Sequence, residues 1–173
     1  YYGGRTVPEY NDGYQSVADY NCYRAKAGSA VWVTHTGLSI RDVVLEEQWD
    51  IVSIQEHTGK VNAWQWTSDE KAAIEGLIAK IKADQTTPPR FVYIMSQAYA
   101  STDILPSYGQ SGVLTNNFPS QAAMFSAITT QAQKVLAETA VEKIIPTGTV
   151  LQNLRTSSLN NAMDLTRDGY HMD

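Results

Sequence analysis

Asp50-Ile51-Val52-Ser53-Ile54, followed at once by Gln55-Glu56-His57-Thr58-Gly59, is the stretch on which the fold turns. A short β-branched run that stops at polar residues and a glycine has the pattern of a buried strand opening into a loop. What comes next in the chain decides the class. Thr67 and Glu70 form a capping-box pattern, and Ile74, Leu77, Ile78 and Ile81 then fall on one face of a helix. Phe91-Val92-Tyr93-Ile94-Met95 reads as a second buried strand. A second helix over Gln121 to Glu138 carries Phe125, Ile128, Ala132 and Val135 on one stripe. Lys143-Ile144-Ile145, stopped by Pro146, reads as a third strand, and Leu151 and Leu154 suggest a further helical turn. Strand and helix alternate from Asp50 onward, which predicts a parallel sheet with helices on both faces, a three-layer α/β sandwich.

Upstream, the chain from Tyr20 to Thr34 reads as a hairpin. Tyr23 and Val31-Trp32-Val33 flank Ala27-Gly28-Ser29, a turn containing glycine. Ser39 can cap a short helix carrying Ile40, Val43 and Val44. With no internal repeat and no long linker, residues 1–173 read as one domain, a length that can bury a full core.

Bulk composition narrows the function classes. The net charge of -5 has the wrong sign for a nucleic-acid footprint. No apolar run approaches the roughly 18 residues that span a bilayer. One cysteine, Cys22, allows no intrachain disulfide, and three scattered histidines with it give no zinc spacing, so no metal is expected. Neither common glycine-rich phosphate cradle is present, which disfavours a flavodoxin-like cofactor protein, and no cofactor is expected.

In parallel sheets the ligand site lies beyond the carboxyl ends of the strands, so the chemistry belongs after Ile54, Met95 and Ile145. The strongest constellation is Asp168-Gly169-Tyr170-His171. An acid three residues before a histidine can fix the tautomer of the ring and leave its other nitrogen basic, although Asp-Gly also suits a plain surface turn. Gln55, at a strand end, can donate an amide N–H to a developing oxyanion, and Glu56 and His57 can do acid-base work; a solvated loop is the alternative. Gly3-Gly4 lets a backbone N–H approach a ligand closely, or makes an ordinary turn. Trp64, Trp66, Tyr99 and Tyr108 fall in the loops expected to rim the site, where aromatic rings can stack on sugars or simply pack.

Taken in order, these pieces resemble the SGNH, or GDSL-type, hydrolase superfamily, and most closely a bacterial branch catalogued as a domain of unknown function. Gly4-Arg5-Thr6 resembles the block whose glycine serves the oxyanion hole. Trp49 to Gln55, with Glu56-His57-Thr58-Gly59, resembles the block that supplies a side-chain amide, with Gln55 where typical members have Asn. Asp168-Gly169-Tyr170-His171 matches the final Asp-x-x-His block without departure. The resemblance implies a flavodoxin-like sheet and a Ser-His-Asp triad with His171 as base and Asp168 orienting it. It implies an oxyanion hole of Gly4 and Gln55, and Glu56, His57 and Tyr99 near the substrate. The implied substrate is an acyl ester, an acetylated glycan or similar small ester, and the implied setting is a secreted or periplasmic bacterial protein. No Gly-Asp-Ser or Gly-Asn-Ser nucleophile block occurs in the sequence. The expectation is therefore a domain incomplete at both ends, with the serine block before Tyr1 and a last helix after Asp173. A non-catalytic carbohydrate-binding module on the same scaffold is the rival reading.

Overall fold

The computed structural model describes residues 7–25, 28, 31, 33–56, 66–101, 118–167, 169 and 171. The chain forms two compact units, Tyr1–Val52 with Ser68–Phe91, and Ser53–Thr67 with Val92–Asp173.

In the first unit, α1 (Val7–Asp12) packs on α3 (Ser68–Ala83), and β1 (Tyr20–Arg24) pairs antiparallel with β2 (Val33–Leu38). The expected hairpin is present, and Gly28 takes φ +80° in its connection, where an L side chain would be strained. Ser39 caps α2 (Ile40–Glu46) with a complete capping box. Its hydroxyl accepts from the Asp42 N–H at 3.0 Å while Asp42 accepts from the Ser39 N–H at 2.7 Å. The other end of α2 is closed from a distance: Gln85 Nε2 donates to the carbonyls of Val44 and Glu47, which have no partner inside the helix. Helix α3 buries Ile74, Leu77, Ile78 and Ile81, the stripe the sequence predicts. Gly76 lets α1 come close, since a Cβ there would stand 2.6 Å from the Asn11 amide nitrogen.

Strands β3 (Ile51–Gln55), β4 (Arg90–Ile94) and β5 (Lys143–Ile145) form a three-stranded parallel sheet in that order. Both β3 and β4 begin in the first unit and end in the second. In β4 the expectation of a buried strand holds for Phe91 and Tyr93. In β3 it does not: Ile51 is 56% exposed, and of its five residues only Ile54 is buried. The alternation along β3 is that of a strand covered on one face, a reading its short β-branched run could not separate from full burial.

In the second unit, α4 (Gln121–Glu138) contacts β5 and α5 (Thr147–Leu154). The buried stripe of α4 is Met124, Ile128, Gln131, Ala132 and Val135, so Met124 takes the place expected for Phe125, which is only half-buried. Ser120 caps this helix by accepting from the Ala123 N–H. Among the described residues no helix is long and apolar enough to cross a membrane.

Candidate active site

The carboxyl ends of β3 and β4 are joined by buried polar contacts. Glu56, the residue after β3, is buried, and its carboxylate accepts from the Tyr93 hydroxyl at 2.9 Å. Burial first, and then the charge of Glu56, pushes the Tyr93 phenol well above its ordinary range, so it stays a neutral donor. The Glu56 carbonyl accepts from Ser96 Oγ. Gln55, the last residue of β3, is exposed.

Past β4, the chain is gripped by the start of α5. Met95 N donates to the Ile145 carbonyl at 3.0 Å, and the Met95 carbonyl accepts from Gly148 N at 3.2 Å and from the Thr147 hydroxyl. Gly148 is required by contact: a Cβ there would lie 2.0 Å from the Ser96 carbonyl oxygen.

The loop that continues from Ser96 meets the 164–171 segment through a second network. Asp164 Oδ2 accepts from Ser101 N at 2.7 Å, Ser101 Oγ at 2.6 Å and Gln121 Nε2 at 3.0 Å, and its Oδ1 accepts from Asn160 Nδ2 at 3.1 Å. Burial alone would raise this carboxyl. The donors from Ser101, Asn160 and Gln121 outweigh it and hold Asp164 down at about 2. Arg155, also buried, donates to the Asp164 carbonyl, the Ala98 carbonyl and Gln152 Oε1. Gln152 in turn donates to Gln121, which also donates to the Tyr99 carbonyl. The segment is fastened again further on, where Ala100 N donates to the Gly169 carbonyl at 2.7 Å. Arg167 N closes the turn onto the His171 carbonyl at 3.0 Å. Gly169 takes φ +95°, the left-handed conformation that suits the glycine of the expected Asp-Gly turn.

Of the residues singled out in the sequence, Gly4, His57 and Asp168 lie outside the described residues, as do Trp64 and Tyr108. The structure brings Tyr99 and Ala100 beside Gly169, two residues from the half-buried His171, and it ties Glu56 to the start of that same loop. Every described residue of this cluster belongs to the second unit. Tyr99 is 7% exposed and its backbone N–H meets Met124 Sδ, so of the two readings open for the loop aromatics it takes the packing one. Trp66 donates its indole N–H to Glu138 in the last turn of α4. Tyr93, Ser96, Gln121, Arg155 and Asp164 were not singled out. Most of their partners lie tens of residues away; Arg155 reaches Gln152 and Asp164 within nine residues, and Asn160-Asn161 with Asp164, a cluster rich in local acceptors, leaves a trace in the sequence. The hydroxyl of Ser96 donates to the Glu56 carbonyl, and that of Ser101 to the Asp164 carboxylate. No group of acidic, histidine and cysteine side chains suited to a metal ion occurs among the described residues.

The DUF4886 family, a domain of unknown function, matches the chain over residues 1–173, and the chain belongs to that family. The structure is similar to the crystal structure, at 1.50 Å resolution, of a DUF4886 family protein from Bacteroides uniformis ATCC 8492. The TM-score is 0.81 at 22% identity, over 99% of this chain and 62% of that one. At that identity the likeness shows a shared fold, and the chain spans 62% of the length of its structural relative. No curated protein matches the chain.

Proposed function

We propose that this DUF4886 chain carries the acid-base half of a serine ester hydrolase of the SGNH type, on a flavodoxin-like three-layer scaffold. The observation that supports it most is the double fastening of the segment around Asp168-Gly169-Tyr170-His171 to the loop after β4, where a parallel sheet presents its ligand site. A plain surface turn has no need of two such anchors, whereas a general base must be held to fractions of an ångström.

In this reading a serine outside residues 1–173 attacks the carbonyl carbon of an acyl ester. His171 takes the hydroxyl proton as the new C–O bond forms. The negative charge that develops on the carbonyl oxygen is met by the Gly4 N–H and the Gln55 amide, one such donor being worth about 3 kcal/mol. His171 then protonates the leaving alcohol as the ester C–O bond breaks, and activates the water that releases the acid. Asp168 holds the ring in the productive tautomer. The exposed amide of Gln55 at the end of β3 fits a donor facing substrate, while buried Glu56 fixes the loop behind it. An acetylated carbohydrate is the proposed substrate class. Tyr99 is buried, so stacking on the sugar ring falls to other residues.

The test is hydrolysis of an aryl acetate by the 173-residue chain and by a chain extended upstream through a serine block. Activity confined to the extended chain is the expected result. Equal activity of both would make another residue the nucleophile, and inactivity of both with retained glycan binding would favour the carbohydrate-binding module.

A further inference from the structure

Asp164 stands seven residues before His171 with φ +51°, and Leu165 follows with φ +60°. Two consecutive side-chain-bearing residues in the left-handed region are costly and persist only where the surroundings hold them there. What holds Asp164 is its side chain. All four groups facing the carboxylate act as donors: the Ser101 N–H and hydroxyl, the Gln121 amide and the Asn160 amide. Arg155 grips the Asp164 backbone carbonyl and extends to Ala98. One residue beyond Ser101 toward the strand, Ala100 donates to Gly169, and Arg167 closes onto His171. The Asp164–Ser101 and Gly169–Ala100 contacts are therefore two rungs of one ladder between the loop after β4 and the segment that carries His171.

We propose that Asp164 is a positioning residue: its carboxylate sets the register in which Gly169 meets Ala100, and so, through the Arg167–His171 closure, sets where His171 stands. The effect on turnover rests on the function proposed for His171, but the effect on its placement does not.

The variants follow from the geometry. Asp164→Gly keeps the left-handed backbone and removes only the carboxylate. Asp164→Asn also suits that backbone, and it keeps three of the four bonds if its oxygen takes the Oδ2 place; the fourth is recovered if the Asn160 amide turns its oxygen inward. The readouts are the ring resonances of His171, assigned against a His171→Ala sample of the 173-residue chain, and aryl-acetate kinetics in the extended chain. Asp164→Gly is expected to move the His171 resonances while those of His35 stay fixed, and to lower kcat between about tenfold and 100-fold with KM within about twofold. Asp164→Asn is expected to restore the parent resonances and to lose at most about threefold in kcat. A folded Asp164→Gly protein with unmoved His171 resonances overturns the proposal and leaves Asp164 a stability residue only. Should Asp164→Gly fail to fold, Ser101→Ala removes a single donor and decides in the same way: a displaced His171 signal supports the ladder, and an unmoved one overturns it. If His171 moves as expected but His171→Ala retains turnover, the hydrolase reading fails while the positioning role stands.

Discussion

The two compact units use polar side chains in opposite ways. In the first, Arg41 binds Asp84 through two hydrogen bonds of 2.8 and 3.0 Å at a partly exposed site, and the Gln48 amide donates to the Gln85 carbonyl oxygen Oε1 at the surface. Tyrosines aside (Tyr14 and Tyr20 are buried there), Ser39 alone of the buried polar and charged side chains among the described residues is in that unit, as a helix cap. The second unit holds the rest: Glu56, Ser96, Gln131, Arg155, Asp164 and Thr166. Burying a polar group costs free energy unless its bonds are remade inside, so such groups persist where a specific arrangement is needed. The first unit uses polarity to close helix ends. The second spends it on the loops that leave the strands, which is where a parallel sheet does chemistry.

The sharpest way to break that contrast is at Gly148. Gly148→Ala forces a methyl group against the Ser96 carbonyl, a backbone atom with little freedom to move. We expect a loss of about 3 kcal/mol, a fall in melting temperature of about 6–12 °C for a chain of this length. A fall of under about 2 °C would mean that the β4–α5 junction is slack.

Tyr93→Phe comes next. It leaves the buried Glu56 carboxylate without its 2.9 Å donor, and should cost about 2 kcal/mol by chemical denaturation. A neutral outcome would show that water or another group replaces the phenol.

The third test is acid. The Asp164 carboxyl lies at about 2, below its ordinary 3.8. A depressed folded-state value means that its contribution is complete above about pH 4 and is lost as pH falls through about 2. The difference in melting temperature between the parent chain and Asp164→Asn should therefore be constant at higher pH and shrink across that window. A difference that stays constant down to pH ~2 would show that the carboxylate charge does not matter.

The smallest effect is expected at Arg41→Gln. The Asp84 carboxylate, lowered by its Arg41 hydrogen bond, and the guanidinium both sit near solvent, so the change should be less than at Gly148 or Tyr93 and shrink further in about 1 M salt. A loss equal to that of Tyr93→Phe would erase the distinction between the units.

What the sequence disclosed follows from range. Helix α4 was readable from Gln121 to Glu138, α2 from Ser39, and β5 from Lys143 to Ile145, because caps, periodicity and a stopping proline act within a few residues. Helix α1 leaves no signal, since Val7–Asp12 is short and offers no apolar stripe. The exposure of Ile51 is not legible because burial on one face or two depends on neighbours that a five-residue run does not name. At the site, the Gly169 turn was legible, but the anchors were not. Ser101 and Asp164 are 63 residues apart, and Glu56 and Tyr93 are 37 apart, so nothing local marks either pair.

The central claim rests on His171. The measurement that tests it most directly is aryl-acetate turnover by the upstream-extended chain and by its His171→Ala variant, with the variant's melting curve recorded alongside. The account predicts a fall of at least about 10³-fold in kcat with an unchanged melting curve, because the base and the nucleophile act as a unit. Turnover within about threefold of the parent, from a pure and folded variant, would contradict it.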